Sequence, residues 1–302
     1  MHKPLTVFVD GSSGAVGVTL TELLGDRPYN LIHLNDHRDI DARYNAIAGA
    51  DIAVLCLPND IVADTINDNH GTSTVIIDAS SFTRLNEDWL YGYFYDIYTG
   101  AANVLQSTRI SNPGCFATGI QALIHPIQSW LTHYPLVFTG ISGYSAGGNA
   151  TINRQMTNPV AHKMTNITRQ HTHVGEVRFR SGLTNDVIFL PAVGSFAEGQ
   201  VVSIPLARHQ LTIPIEEVYE QVAAYYYGCD DVVVWDEAPK SISPEIIPRI
   251  DASRISICVA EFDNHAVLHA WYSNLNFGAA GSVVRIIDKI AEGRITNGAH
   301  TA

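Results

Sequence analysis

Near the N-terminus an apolar run, Leu5–Val9, ends at Asp10 and passes directly into Gly11-Ser12-Ser13-Gly14-Ala15-Val16-Gly17. Val16–Leu24 then carries a helical pattern, stopped by Gly25 and Pro28. This join constrains the chain more than any other feature. Glycines at a strand-to-helix turn let the backbone bend sharply and let N–H groups approach an anion at the positive helix end. The Gly-x-x-Gly-x-x-Gly spacing differs from the usual Gly-x-Gly-x-x-Gly, so its place at the first βα turn carries the reading; a plain tight turn is the alternative. Further strands fit Tyr29–Asn35, Ile52–Leu57 before Pro58, and Thr74–Ile77 before Asp78-Ala79-Ser80-Ser81. Strands alternating with helical segments predict an α/β fold with a parallel sheet over roughly residues 1–113.

Composition narrows the function. The chain has 302 residues, which suits two domains or one large one; a hydrophobic fraction of 46% is ample for a buried core, and 16% charged residues opposes disorder. A net charge of -12 opposes a nucleic-acid binder, because phosphate backbones need a basic face. The absence of an apolar stretch of 18 or more residues predicts no membrane association, and the N-terminus lacks a signal-peptide pattern. Cys56, Cys115, Cys229 and Cys258 have wide spacings and no CxxC pair, which fits neither a disulfide framework nor a zinc site. These features read as a cytoplasmic, reduced protein.

In the second half, Ala117–Leu131 is apolar at helical spacing, and Leu136–Ile141 reads as a strand entering the glycine-rich turn Ser142-Gly143-Tyr144-Ser145-Ala146-Gly147-Gly148. Residues 149–185 read as polar and irregular. Strands resume at Val187–Leu190, Gln200–Pro205, Val232–Trp235, Arg254–Val259 and Val267–Tyr272, with a helix over Ile215–Tyr227. This predicts a mixed sheet with fewer helices. Gly281–Ile290 reads as a closing amphipathic helix that rejoins the first domain.

Two stretches carry chemistry. In Ser111-Asn112-Pro113-Gly114-Cys115 the cysteine stands just ahead of a helix, where unpaired N–H groups and the helix dipole stabilise a thiolate. A thiolate is a strong nucleophile for acyl transfer. The other three cysteines read as small buried hydrophobes. Gln170-His171-Thr172-His173-Val174-Gly175-Glu176 offers two imidazoles for acid–base work, on one face if extended, with a carboxylate to orient them. A metal reading of that stretch lacks a further ligand cluster, so no metal is expected. After the second strand, Asp36 favours NAD and Arg38 favours NADP.

Together these stretches resemble the N-acetyl-gamma-glutamyl-phosphate reductase family in its shorter, type 2 form. The resemblance also rests on Cys56-Leu57-Pro58-Asn59-Asp60, Asp78-Ala79-Ser80, Pro191-Ala192-Val193-Gly194-Ser195-Phe196 and Asn274-Leu275-x-x-Gly278-Ala279-Ala280-Gly281. It implies a Rossmann-type parallel-sheet domain for NADP over 1–113 and 274–302. It also implies an α/β catalytic and oligomerisation domain with a mixed sheet over 114–273, related to aspartate-semialdehyde and glyceraldehyde-phosphate dehydrogenases. The implied reaction is NADPH-dependent reduction of N-acetyl-L-glutamyl 5-phosphate to the 5-semialdehyde with phosphate release, in arginine biosynthesis, by a homo-dimer or tetramer.

The resemblance makes Cys115 the nucleophile, with His171 or His173 as the acid–base group beside Glu176. Gly11 through Gly17 (Ser12, Ser13, Gly14, Ala15 and Val16 between them), Arg38, Cys56, Leu57, Pro58, Ser80 and Asn274 fall to the cofactor. Asn112, Ser142, Gly143, Arg84 and Arg154 fall to the substrate, with Ser81 near the phosphate. The chain departs from the pattern at Asn149 and Ala150, where Arg and Lys usually follow the glycine-rich turn, and at Gly175, Phe277 and Val284-Arg285. Arg154 or Lys163 is the expected substitute. The departures keep two alternatives open, an aspartate-semialdehyde dehydrogenase-like reductase and a non-catalytic NADP-binding paralogue.

Overall fold

The computed structural model describes residues 4–34, 36, 38–68, 73–168, 170–247 and 251–299. Asn35, the expected end of the second strand, and His37 lie outside these. Two compact units form, one of residues 1–113 with 279–302 and one of residues 114–278.

The first unit runs β1 (Thr6–Asp10), α1 (Ala15–Gly25), β2 (Asn30–Ile32), α2 (Ile40–Gly49), β3 (Ile52–Leu55), α3 (Asn59–Asp68), β4 (Val75–Asp78), β5 (Leu90–Tyr91), α4 (Phe94–Thr99) and β6 (Arg109–Ser111). Its sheet is parallel throughout, in the order β2-β1-β3-β4-β6-β5. Successive strand residues feed opposite cores. Val7 and Val9 join Leu20, Leu24, Ile52, Val54 and Ile77 on one face, while Phe8, Ala53 and Leu55 join Ile47 and Val62 on the other. A sheet covered on both faces needs near-continuous apolar strands, as these are. Each fully buried aliphatic side chain there contributes roughly 1.5–3 kcal/mol.

The second unit runs α5 (Cys115–Ile124), β7 (Leu136–Ser142), α6 (Gly148–Thr157), β8 (His162–Met164), α7 (Thr172–Ser181), β9 (Val187–Gly194), β10 (Gln200–Ala207), α8 (Val218–Tyr225), β11 (Val232–Trp235), β12 (Ile255–Phe262) and β13 (His265–Tyr272). The mixed sheet is ordered β11-β12-β13-β10-β7-β9-β8. Burial alternates along β10 and β13, so one face is core and the other is open, as antiparallel strands allow. After Gly278 the chain rejoins the first unit as α9 (Ala280–Ala299), whose Val283, Ile286, Ile287 and Ile290 complete its core.

Three expectations are corrected. The stretch 149–185 is not irregular but forms α6, β8 and α7. No residue of α6 is buried, so it shows no apolar stripe by which periodicity could reveal it. The helix expected over 117–131 ends at Ile124 and tightens into a 3-10 turn, His125–Trp130, opened by Pro126. The unit boundary falls at 278/279 rather than 273/274. The Asn276 amide donates to Glu198 Oε1 at 2.9 Å and Asn274 Nδ2 to Ser145 Oγ at 3.0 Å, which ties this turn into the second unit.

Candidate active site

In the first unit the glycine turn makes a cradle in which Gly11 and Gly17 tolerate no side chain. Gly11 has φ +86°, and a Cβ there would lie 2.4 Å from the Cys56 carbonyl oxygen; at Gly17 it would lie 2.2 Å from the Gly11 oxygen. The Gly14 N–H closes the turn on Gly11 O at 3.0 Å and Gly14 then caps α1, whose first turn carries no acidic residue. Ser12, Ser13, Ala15 and Val16 belong to this turn and helix start, a geometry that fits a dinucleotide pyrophosphate. Asp10, which ends β1, would repel such an anion if it were unpaired. Arg43 neutralises it through a buried bidentate pair with a 2.8 Å contact.

Cys56, Leu57 and Pro58 follow β3 beside this turn, the Cys56 N–H donating to Asp10 O at 2.8 Å. Ser80 follows β4 and is held by its N–H on Asp78 Oδ1 at 2.7 Å. Arg38 is exposed after β2, its N–H on Asp36 Oδ1 at 2.9 Å. Arg84 is buried, and its Nε donates to the Asn112 carbonyl at 3.0 Å. It therefore braces the backbone ahead of the cysteine. Asn112 is buried too, its Nδ2 donating to Ala279 O at 3.2 Å.

In the second unit Cys115 is the first residue of α5, capped by Gly114 with no side-chain cap and no acid in the first turn. Its thiol is half-buried and lines a cavity of about 350 Å3, together with His171, His173, Ser142, Phe116, Arg154 and Lys163. That volume suits a small metabolite. Ser142 is buried at 1% exposure and its Oγ has no hydrogen-bond partner among the described residues, so it can take one from a ligand. Desolvation pushes the Cys56 thiol up to about 12, with Asp10 and then Asp78 adding to the rise, and burial pushes Cys258 to about 11. Both remain thiols at neutral pH.

The two histidines open α7. His171 caps the helix, its Nδ1 accepting from the His173 N–H at 3.2 Å; their rings lie 4.6 Å apart, both against Phe116, with Phe189 also against His171. Glu176 is buried one turn along, and its Oε1 accepts from the Gly114 N–H at 2.8 Å. Its carboxylate thus holds the cap of α5 in place.

Three residues missed by sequence reasoning complete the site. The Tyr272 hydroxyl donates to the Cys115 carbonyl at 2.6 Å and accepts from the Gln200 side chain. Burial and the nearby Cys115 charge hold the Tyr272 phenol well above its ordinary pKa, so it stays a donor. Phe116 supplies an aromatic wall. Only the place of Tyr272, two residues before the quoted Asn274, hinted at any of this.

Gly143 and Asn274 have partners elsewhere in the second unit. Gly143 does not line the cavity; a Cβ there would lie 2.3 Å from the Ala197 carbonyl oxygen, so backbone packing demands glycine. Asn274 is buried in the second unit, accepting from Gly199 N at 2.8 Å and donating to Ser145.

The chain is similar to known proteins along its whole length. A family model described as the semialdehyde dehydrogenase dimerisation domain matches residues 115–274. N-acetyl-gamma-glutamyl-phosphate reductase 2 of Pseudomonas putida is 32% identical, over 95% of this chain and 97% of that one. The N-acetyl-gamma-glutamyl-phosphate reductase of Burkholderia ambifaria is 30% identical, over 95% and 96%. Among solved structures, aspartate semialdehyde dehydrogenase II from Vibrio cholerae superposes with a TM-score of 0.71 at 16% identity, covering 96% of this chain and 99% of that one. Aspartate semialdehyde dehydrogenase with NADP from Candida albicans gives 0.69 at 14% identity, with the same coverage. These likenesses establish the Rossmann-type parallel sheet and the companion mixed sheet.

Proposed function

The chain belongs to the N-acetyl-gamma-glutamyl-phosphate reductase family, and on that premise we propose that it reduces N-acetyl-L-glutamyl 5-phosphate to N-acetyl-L-glutamate 5-semialdehyde in arginine biosynthesis. The observation that carries the reading is a half-buried thiol at a helix start, sharing one cavity with two imidazoles and an unpartnered serine hydroxyl.

The Cys115 thiolate, favoured by the start of α5, attacks the acyl carbon. The carbon–oxygen bond to phosphate breaks, phosphate leaves, and a thioester remains on Cys115. NADPH, if held at the glycine turn of residues 11–17, would supply the hydride for reducing this thioester, and the oxyanion left on the Cys115 adduct is the group the histidines serve. His171 or His173 then donates a proton to that oxygen or receives it as the carbon–sulfur bond breaks, freeing the aldehyde and the thiolate. Glu176 and Tyr272 act through Cys115, fixing the N–H before it and its carbonyl. Ser142 and Arg154 face the substrate. Residues 11–17, with Cys56, Leu57, Pro58 and Ser80 beside them, would hold the pyrophosphate, and Arg38 the additional phosphate of NADP.

The open sheet face exposes Ile188 and Leu190 and leaves Val201, Val267 and Trp271 half-buried, which supports homo-oligomerisation through a second copy. No described helix is long and apolar enough to cross a membrane, and all four cysteines are unbridged, which supports a cytoplasmic setting.

The test is the reverse reaction, with N-acetylglutamate semialdehyde, phosphate and NADP, followed by absorbance of the reduced nicotinamide. Wild type turns over; Cys115→Ser keeps cofactor binding and loses turnover. Turnover on aspartate semialdehyde alone overturns the substrate, and near-wild-type rates in Cys115→Ser overturn the mechanism.

A further inference from the structure

The same cavity is electrostatically out of character with the rest of the chain. The net charge is -12, yet Arg154 and Lys163 line the cavity and no described Asp or Glu does. Neither cation makes an ion pair or side-chain hydrogen bond within the described residues. Uncompensated cations facing a concave, half-enclosed space raise the local concentration of anions.

Their placement follows from local geometry. Thr151, Arg154 and Asn158 recur at three- and four-residue spacing, so one face of α6 looks into the cavity, and Asn149 and Ala150 lie off it. Lys163 is the middle residue of β8 and pairs with Val193, so it shares the cavity face while His162 and Met164 point the other way. Gln155 of α6 holds the connection that leads to β8, its Nε2 donating to Val160 O at 2.9 Å and its Oε1 accepting from Val160 N at 3.1 Å.

The register also fixes which end of the cavity they occupy. Lys163, Val193, Ser142, Gln200 and Tyr272 form one row across five strands. Tyr272 touches Cys115, and Lys163 stands four strands away, roughly 19 Å between backbones at the usual strand spacing. The phosphate departs from the very carbon that Cys115 attacks, so it belongs at the Tyr272 end. We propose that Arg154 and Lys163 clamp the non-reacting carboxylate of the substrate at the far end, and that this pair selects acyl phosphates bearing a second carboxylate. The proposal rests on the reading of Cys115 and its cavity as the acyl site.

The test compares two aldehydes in the reverse direction, N-acetylglutamate semialdehyde and 4-acetamidobutanal, which is the same molecule without its carboxylate. Wild type prefers the carboxylated aldehyde in kcat/KM by about 100-fold or more, and Lys163→Gln and Arg154→Gln each cut that preference by about tenfold. Lys163→Arg retains most of it. A preference unchanged in both glutamine variants overturns the proposal.

A second measurement needs no turnover: the protection of Cys115 from iodoacetamide by N-acetylglutamate, read by mass spectrometry of the cysteine peptide. The half-protecting concentration rises about tenfold in each glutamine variant. Protection that is absent in wild type, or equal in wild type and variants, overturns the carboxylate clamp. Wild type that oxidises neither aldehyde yet shows the shift in protection overturns the reductase reading and keeps the clamp.

Discussion

Tyr272→Phe removes one oxygen from a fully buried position and should cost more than its size suggests. The hydroxyl donates to the Cys115 carbonyl and accepts from Gln200, itself fully buried. Losing it forfeits a bond worth about 1 kcal/mol and leaves the Gln200 amide unsatisfied, at about 1–3 kcal/mol, for a total of roughly 2–4 kcal/mol. No neighbour can refill the space cheaply, because Gly119 packs against that oxygen; a Cβ there would lie 2.3 Å from it. For a unit of this size the loss corresponds to a Tm lower by on the order of 5–10 °C. The Cys115 backbone also loses its anchor, so kcat should fall roughly tenfold or more. Urea unfolding and steady-state kinetics read the two effects separately. Adding Gln200→Leu should recover part of the stability, since removing both polar partners avoids the unsatisfied amide. Tyr272→Phe within about 0.5 kcal/mol of wild type, or a double variant that loses the full sum, would refute the argument.

Three further outcomes are expected. Gly11→Ala forces a Cβ against the Cys56 carbonyl at positive φ, and NADPH affinity measured by fluorescence titration should fall at least tenfold; unchanged affinity would remove the cofactor from this turn. Burial lowers the His125 pKa from 6.5 to about 4, so the unfolded chain binds the extra proton first. Stability should therefore drop as pH falls from about 6.5 toward 4, by on the order of 2–3 kcal/mol, and the drop should be missing from His125→Gln in urea melts at pH 7 and 5. Arg38→Asp should shift the kcat/KM preference from NADP toward NAD; a ratio equal to wild type would place the second phosphate elsewhere.

The glycine turn, the alternating elements of the first unit and the setting of Cys115 at a helix start were legible in the sequence because each is local. A positive φ at Gly11, the absence of a Cβ at Gly17 and a cysteine just after Pro113-Gly114 leave their mark on neighbouring residues. The apolar strands of a sheet buried on both faces announce themselves by period and composition. Local reasoning failed at 149–185, where α6 faces a polar cavity and α7 begins with histidines rather than an apolar stripe. Nor could it show the partners that Arg84, Gly143 and Asn274 have in the folded chain. Their residue types suit ligands, yet their partners are backbone groups and buried side chains met only on folding.

What the sequence by itself determined is the kind of chemistry: a dinucleotide turn, a thiol at a helix start and imidazoles to move a proton. Which residues surround that thiol was decided by tertiary structure. Strand pairing puts Tyr272, Gln200, Ser142 and Lys163 in one row although they are scattered over 131 positions, from 142 to 272. Glu176 reaches Gly114 across 62 residues. Pairing of that kind is fixed by sheet register and the packing of the whole core, so no window of the sequence contains it.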